Sequence, residues 1–134
     1  MPRWAMRTSS AILLTFISMK LILVYIMGIL YMAAGIWHFV KPQGYVRIMP
    51  PWLAWHLQLV YISGACEILL GLLLFPESTR SFAAWGIIAL LIAVFPANIQ
   101  MTINYFHYNN PMKWLTVLRL PLQLLLIWWA RMYV

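Results

Sequence analysis

Hydrophobic positions along this chain fall into long blocks. The first runs from about Lys20 to Val40, KLILVYIMGILYMAAGIWHFV. The second is Trp52 to Phe75, the third Phe82 to about Tyr105, and the fourth Trp114 to Tyr133. Each is near the ~20 residues that carry an α-helix across a ~30 Å hydrocarbon layer. The segments between them have turn chemistry: KPQGYVRIMPP (41–51), PESTRS (76–81) and HYNNPMK (107–113). A lone open sheet is excluded, because lipid cannot satisfy its edge hydrogen bonds. Trp37, Trp52, Trp55, Trp114, Trp128 and Trp129 mark block ends, as in the aromatic belts of membrane interfaces. The pattern predicts an all-α fold, an integral membrane up-down four-helix bundle.

The N-terminus carries a different pattern. Residues 1–18, MPRWAMRTSSAILLTFIS, open with arginines and then a short apolar run. This resembles a secretory signal at first sight, but the run continues into the first crossing with no cleavage site and polar start after it. Ala11–Met19 is too short for a further crossing. The expected organisation is an N-terminal extension over 1–18, interfacial or continuing the first helix, followed by a transmembrane domain over 19–134.

Composition strengthens the membrane reading. The chain has 134 residues, 65% hydrophobic and 8% charged, with mean hydropathy +0.86. A soluble domain carries roughly a quarter charged residues, so this chain cannot cover a water-facing surface. The net charge of +7 comes from basic residues scattered singly, which argues against nucleic acid as a partner. One cysteine, Cys66, excludes an intrachain disulfide, paired-thiol relays and an iron–sulfur cluster. With four crossings, Arg3, Arg7, Lys20, Arg80 and Arg131 share one side, and Lys41, Arg47 and Lys113 the other. That bias places both termini in the cytoplasm.

Against this background Glu67 stands out, in YISGACEILLGLLLF (61–75). The other acidic residue, Glu77, falls in the predicted turn 76–81. Glu67 lies a few residues past the middle of the second crossing, too deep for so short a side chain to reach the interface. Ionisable groups at such depth normally face the bundle interior or a wet cavity. Toward the outer half lie His38, His56, Gln58, Asn98, Gln100 and, in the fourth crossing, Arg119. The expected site is a polar pocket opening toward the outer face, with Glu67 at its floor as proton carrier. His38, Asn98, Arg119 and His56 are its candidate ligand-binding residues. Gly64, Glu67 and Gly71 share one helix face, and Gly28 and Gly35 repeat the spacing in the first crossing. Small residues there let helices approach closely. Pro96 frees the carbonyl of Ile92 within the third crossing, which polar neighbours must satisfy. No metal site is expected. In the bland alternative, Glu67 is a protonated acid bonded to Asn98 or a carbonyl, His38 and His56 are boundary histidines, and Arg119 reaches lipid headgroups.

GIWHFVKP (35–42), YISGACEILLGLLL (61–74) and WGIIALLIAVFPANIQM (85–101) together resemble the DoxX-like family of small four-helix bacterial membrane proteins. The resemblance covers roughly residues 20–133. Gly35-x-x-His38-Phe39, Gly64-x-x-Glu67-x-x-x-Gly71 and Pro96-x-Asn98 carry it, in that order. It implies a bacterial inner-membrane location and a link to quinone chemistry, since the family is named after a subunit of a thiosulfate:quinone oxidoreductase.

Functional expectations then fall into three classes. The first is a redox-associated subunit that binds a quinone through His38, Asn98 or Arg119, with Glu67 supplying the proton and Tyr31, Trp37 and Phe95 flanking the ring. It needs a partner subunit to bring electrons. The second is a non-catalytic accessory or assembly subunit held against other membrane proteins. The third is a proton-coupled transporter of small hydrophobic cations. Its usual representatives are of similar length but place their glutamate in the first helix.

Overall fold

The computed structural model describes residues 3–134, with side chains from Arg7 onward. Residues 1 and 2 of the N-terminal extension, and the Arg3 side chain counted in the charge bias, lie outside the described residues. The described residues form helices and no strands: α1 (Arg3–Val40), α2 (Pro42–Val46), α3 (His56–Leu73), α4 (Glu77–His107) and α5 (Lys113–Arg131). Three of them, α1 from Arg7 onward, α3 and α4, are long and apolar enough to cross a membrane. This is the profile of a membrane protein. The segment expected as fourth crossing, α5, is helical but does not meet that standard alone. Its 19 residues include Lys113, Arg119, Gln123, Arg131 and an internal Pro121, which dilute the apolar run.

α1 is continuous across residues 18 and 19. Its 38 residues span about 57 Å at 1.5 Å per residue, against about 27 Å for α3. Positions 7–22 are exposed, and Val24 is the first buried residue. From Arg3 on, the extension is thus built as more of the same helix.

Close approaches fix how the helices run. α1 packs along α3, α4 along α5, and α3 against α4. Gly28 faces Gly71 and Gly35 faces Gly64, so rising numbers on α1 meet falling numbers on α3 and the pair is antiparallel. A Cβ on Gly64 would lie 2.9 Å from the Gly35 carbonyl oxygen and 2.7 Å from His38 Cβ. One on Gly71 would lie 2.8 Å from the Gly28 carbonyl oxygen. Only glycine permits this seam. Asn98 against Gln123 and Met101 against Arg119 make α4 and α5 antiparallel in the same way.

An amide clamp joins α4 to α5. Asn98 Nδ2 donates to Gln123 Oε1 at 2.7 Å, and Gln123 Nε2 donates to the Leu91 carbonyl. Pro96 removes the N–H that would reach Ile92. The carbonyl that the clamp satisfies is Leu91, one residue earlier. Thr116, Gln123 and Ala130, the buried residues of α5, lie seven apart, so one face of α5 turns inward and carries its polar groups with it.

The apolar core sits at one end. Val24 and Met27 of α1, Leu74, Ala83 and Ile87 of α4, and Ala130 of α5 are fully buried there. The 74–80 turn closes this end tightly. Arg80 donates from Nε to the Leu74 carbonyl (3.0 Å) and from its guanidinium Nη2 to that of Phe75 (2.9 Å), and Thr79 Oγ1 donates to the Leu73 carbonyl (2.7 Å). These are carbonyls that a helix C-terminus leaves without intrahelical donors. The opposite end is looser, and the polar residues lie there.

Candidate functional site

A cavity of about 460 Å3 occupies the half of the molecule away from the core. Glu67, His38, Asn98, Arg119 and Pro96 all line it. The volume lies within the ~300–1,000 Å3 of ligand pockets, and the lining is mostly apolar with a few polar groups, as such pockets are.

Glu67 and His38 meet by helix geometry. Every Cα–Cβ bond leans toward the N-terminus of its own helix. α1 and α3 run antiparallel, so His38 leans down toward the core end and Glu67 leans up toward the loop end. Their side chains converge although their Cα atoms lie at different depths. His38 Nε2 is 3.7 Å from Glu67 Oε2. This is too long for a direct hydrogen bond, and one side-chain rotation or one bridging group closes it.

The other His38 nitrogen is committed. His38 Nδ1 lies 3.2 Å from the Val60 carbonyl oxygen. A carbonyl only accepts, so Nδ1 carries a proton. In the neutral ring Nε2 then has a free lone pair, aimed at Glu67. The pair can hold one exchangeable proton, either on the carboxyl or on Nε2. Nearby, Tyr31 Oη, Ser63 Oγ and Glu67 Oε2 are buried without a hydrogen-bond partner among the described residues. Unpaired polar atoms in an apolar interior are costly, which marks this corner as built for a further hydrogen-bonding group.

Other candidates separate. Asn98 spends its amide on Gln123 and does not bond Glu67. Arg119 is exposed at the cavity edge, with Nη1 3.7 Å from Met101 Sδ. Its guanidinium makes no pair with Glu67. His56 does not join the site. It faces the Pro50 carbonyl at 3.1 Å through Nε2, and α3 begins there, so its ring fastens the preceding loop. Gln100 bonds Asn104 (2.9 Å) outside the cavity.

The outer end of the cavity has a roof. α2 carries Tyr45 over His38, with ring centroids 3.8 Å apart in an edge-on contact. Ile48, Met49 and Leu53 complete the cover. The 41–55 segment thus lies against this end of the cavity instead of standing clear as a loop. Tyr45 feels both charged sides of the site. Burial raises its phenol above the ordinary value, and Glu67 adds to the rise while Arg119 opposes it. Sequence reading missed Tyr45, Ser63 and Gln123. The glutamine was legible as the lone amide within the fourth block. Nothing in the sequence showed that the Tyr45 turn folds back over the helix ends.

A second recess of about 510 Å3 lies at the core end, between Lys20, Glu77, Arg80 and Tyr133. It is the larger of the two, but its arginine is already engaged in capping α3.

Residues 27–134 match the family described as domain of unknown function DUF8561. No curated protein and no solved structure matches the chain. The matched segment begins where α1 enters the core and includes every residue of the cavity. The chain belongs to the DUF8561 family.

Proposed function

We propose that this DUF8561 protein is a membrane-embedded binding subunit that takes the oxygen-bearing head of a lipophilic ligand, a quinone by chemical class, and exchanges a proton with it. The observation that carries the reading is the His38–Glu67 pair. The Val60 carbonyl fixes the His38 tautomer, Nε2 faces Glu67 at 3.7 Å, and the pair sits in a largely apolar cavity. A quinone oxygen placed there accepts a hydrogen bond from whichever partner holds the proton. Ser63 Oγ and Tyr31 Oη stand nearby as further donors. Reduction of a quinone to a quinol takes two electrons and two protons. The His38–Glu67 pair offers one of these protons, water supplies the other, and a partner subunit supplies the electrons. The DoxX-like order of Gly35, His38, Gly64, Glu67, Pro96 and Asn98 agrees with that placement.

In this reading α5 is the fourth crossing of an up-down bundle in a bacterial inner membrane, with both termini cytoplasmic. Support comes from its inward face. Thr116 and Gln123 are buried, while Leu118, Leu122, Leu124, Leu125 and Trp128 are exposed, as lipid contact requires.

The test is Glu67→Gln. Glutamine keeps the shape and can still donate to Nε2, so the variant should fold and bind. It should lose the proton uptake that accompanies ligand binding, measured as pH change in weakly buffered nanodiscs. Undiminished proton uptake in a stable Gln variant would remove Glu67 from the mechanism. A second reading, a non-catalytic accessory subunit, draws support from α1. Ile12, Leu13, Leu14, Phe16 and Ile17 are 55% or more exposed, which suits a helix held against other membrane proteins.

A further inference from the structure

The geometry points to a side entrance: a ligand with a lipophilic tail reaches the cavity from the bilayer through the slot between α3 and α4, and its tail stays in that slot while the head lies against His38 and Glu67. This rests on the proposed reading for the head and adds where the tail goes.

Along the helix axes, packed chain lies at both ends of the cavity. Toward the 74–80 turn the way is filled by Met27, Leu74 and Ile87, all fully buried. Toward the loops it is covered by α2 and the segment after it. That cover is fastened on two sides. Pro50 is fully buried and its carbonyl receives His56, while Asn104 Nδ2 donates to the Arg47 carbonyl at 3.2 Å.

The open direction is sideways. α3 and α4 touch near the turn, where Leu70 lies against Gly86. Further from the turn the cavity reaches between them. Leu59, Ile62 and Cys66 line it on α3, and Leu90, Ala93 and Ala97 on α4. Ile62 is 58% exposed and Ala93 is exposed as well, so the slot extends to the surface that lipid covers. Its walls carry no charge. Alanines one helical turn apart leave width for an alkyl chain without distorting either helix. An amphiphile dissolved in the membrane finds a matching opening, whereas a water-borne solute meets the roof. The polar corner lies at the inner end of the slot, so head-first entry brings a ligand oxygen to the His38–Glu67 pair.

Two measurements test this on the full chain in nanodiscs. The first compares dimethoxymethylbenzoquinone with its decyl-tailed homologue, in the parent and in Ala93→Phe. Comparing one ligand between two proteins cancels its partition into lipid. Phe at the lipid edge of the slot should weaken the decyl homologue by about tenfold and leave the tailless quinone within about twofold, as expected for overpacking confined to the tail path. Equal loss for both, or loss for neither, overturns the slot. The second uses the native Cys66. A lipid-soluble N-alkyl maleimide should label it, and a sulfonated, water-confined maleimide should not. Faster labelling by the sulfonated reagent, or none by either, overturns the entrance. If neither quinone binds the parent, the quinone reading fails and the labelling alone decides the slot.

Discussion

Gly35→Ala is the sharpest perturbation that the α1–α3 seam offers. The added Cβ would lie 2.5 Å from the Gly64 carbonyl oxygen, 2.7 Å from Ile68 Cγ1 and 2.9 Å from the Ile68 backbone nitrogen. Non-bonded heavy atoms prefer about 3.5 Å, so the helices must part by about 1 Å. Two of the atoms met are backbone and cannot turn aside. Replacing glycine by alanine in a helix returns ~0.5–1 kcal/mol, while overpacking costs ~1–3 kcal/mol, so the net loss spans about 0–2.5 kcal/mol, with backbone atoms in the way favouring the upper half. Two other glycines make the comparison decisive. At Gly86 the new Cβ meets only the Leu70 side chain, whose flexible end can rotate, so Gly86→Ala should be neutral or stabilising. At Gly44 nothing lies within 4 Å, and Gly44→Ala should be neutral. Unfolding in mixed micelles of rising dodecyl sulfate fraction, followed by tryptophan fluorescence, ranks the three. The reasoning fails if Gly35→Ala is as stable as Gly44→Ala, or if Gly86→Ala is the least stable.

Gln123→Leu should destabilise the protein by about 1–3 kcal/mol, because it strips a partner from Asn98 and a donor from the Leu91 carbonyl; a thermal melt equal to the parent would mean that other groups satisfy both. Arg80→Ala should free the Leu74 and Phe75 carbonyls and raise hydrogen exchange at the C-terminus of α3 above that in its middle, and unchanged exchange would deny the cap its role. Single cysteines at Lys41 and Ser78, in a Cys66→Ala background, should be labelled from opposite sides of the membrane; labelling from one side would sink the proposed topology.

The helices were legible because each rests on a local signal. Apolar blocks predicted α1, α3 and α4 directly, while the turn expected over 76–81 falls earlier, at 74–76, with 77–81 already in α4. The glycine spacing of 28 and 35 against 64 and 71 could be read as close-packing faces, because a face is a property of one helix. The cavity was legible only in part. Depth along a helix, counted at Cα, put Glu67 and His38 on different levels. What brings them together is the opposite lean of side chains on antiparallel neighbours, and that needs the pairing of α1 with α3 to be known. The 41–55 segment misled more thoroughly. Its prolines and glycine signal a loop, but no local pattern says that Pro50 becomes fully buried or that Tyr45 packs on His38. For α5 the string and the fold point different ways. Its polar residues lower its apolarity as a string, while the seven-residue spacing of Thr116, Gln123 and Ala130 turns that polarity inward.

The two helix pairs divide the work. α1 and α3 are locked by glycine contacts with carbonyls at both ends of the seam, and the groups able to move a proton, His38 and Glu67, both stand on that locked pair. The Val60 carbonyl that sets the His38 tautomer is on it too. α4 and α5 are locked separately by the Asn98–Gln123 clamp, and they contribute walls, with Ala93 and Ala97 leaving the width. Between the pairs the apolar core and the capped turn join one end, and at the other Asn104 of α4 holds the Arg47 carbonyl of the cover. In the proposed reading, a change in slot width as a tail enters shifts the walls, while His38 and Glu67 stay together on the close-packed α1–α3 pair. Had the carboxyl and the imidazole stood on opposite pairs, each entry or exit of a ligand would pull them apart. In the proposed reading, their placement on one close-packed pair keeps the proton-sharing geometry independent of the opening that admits the ligand.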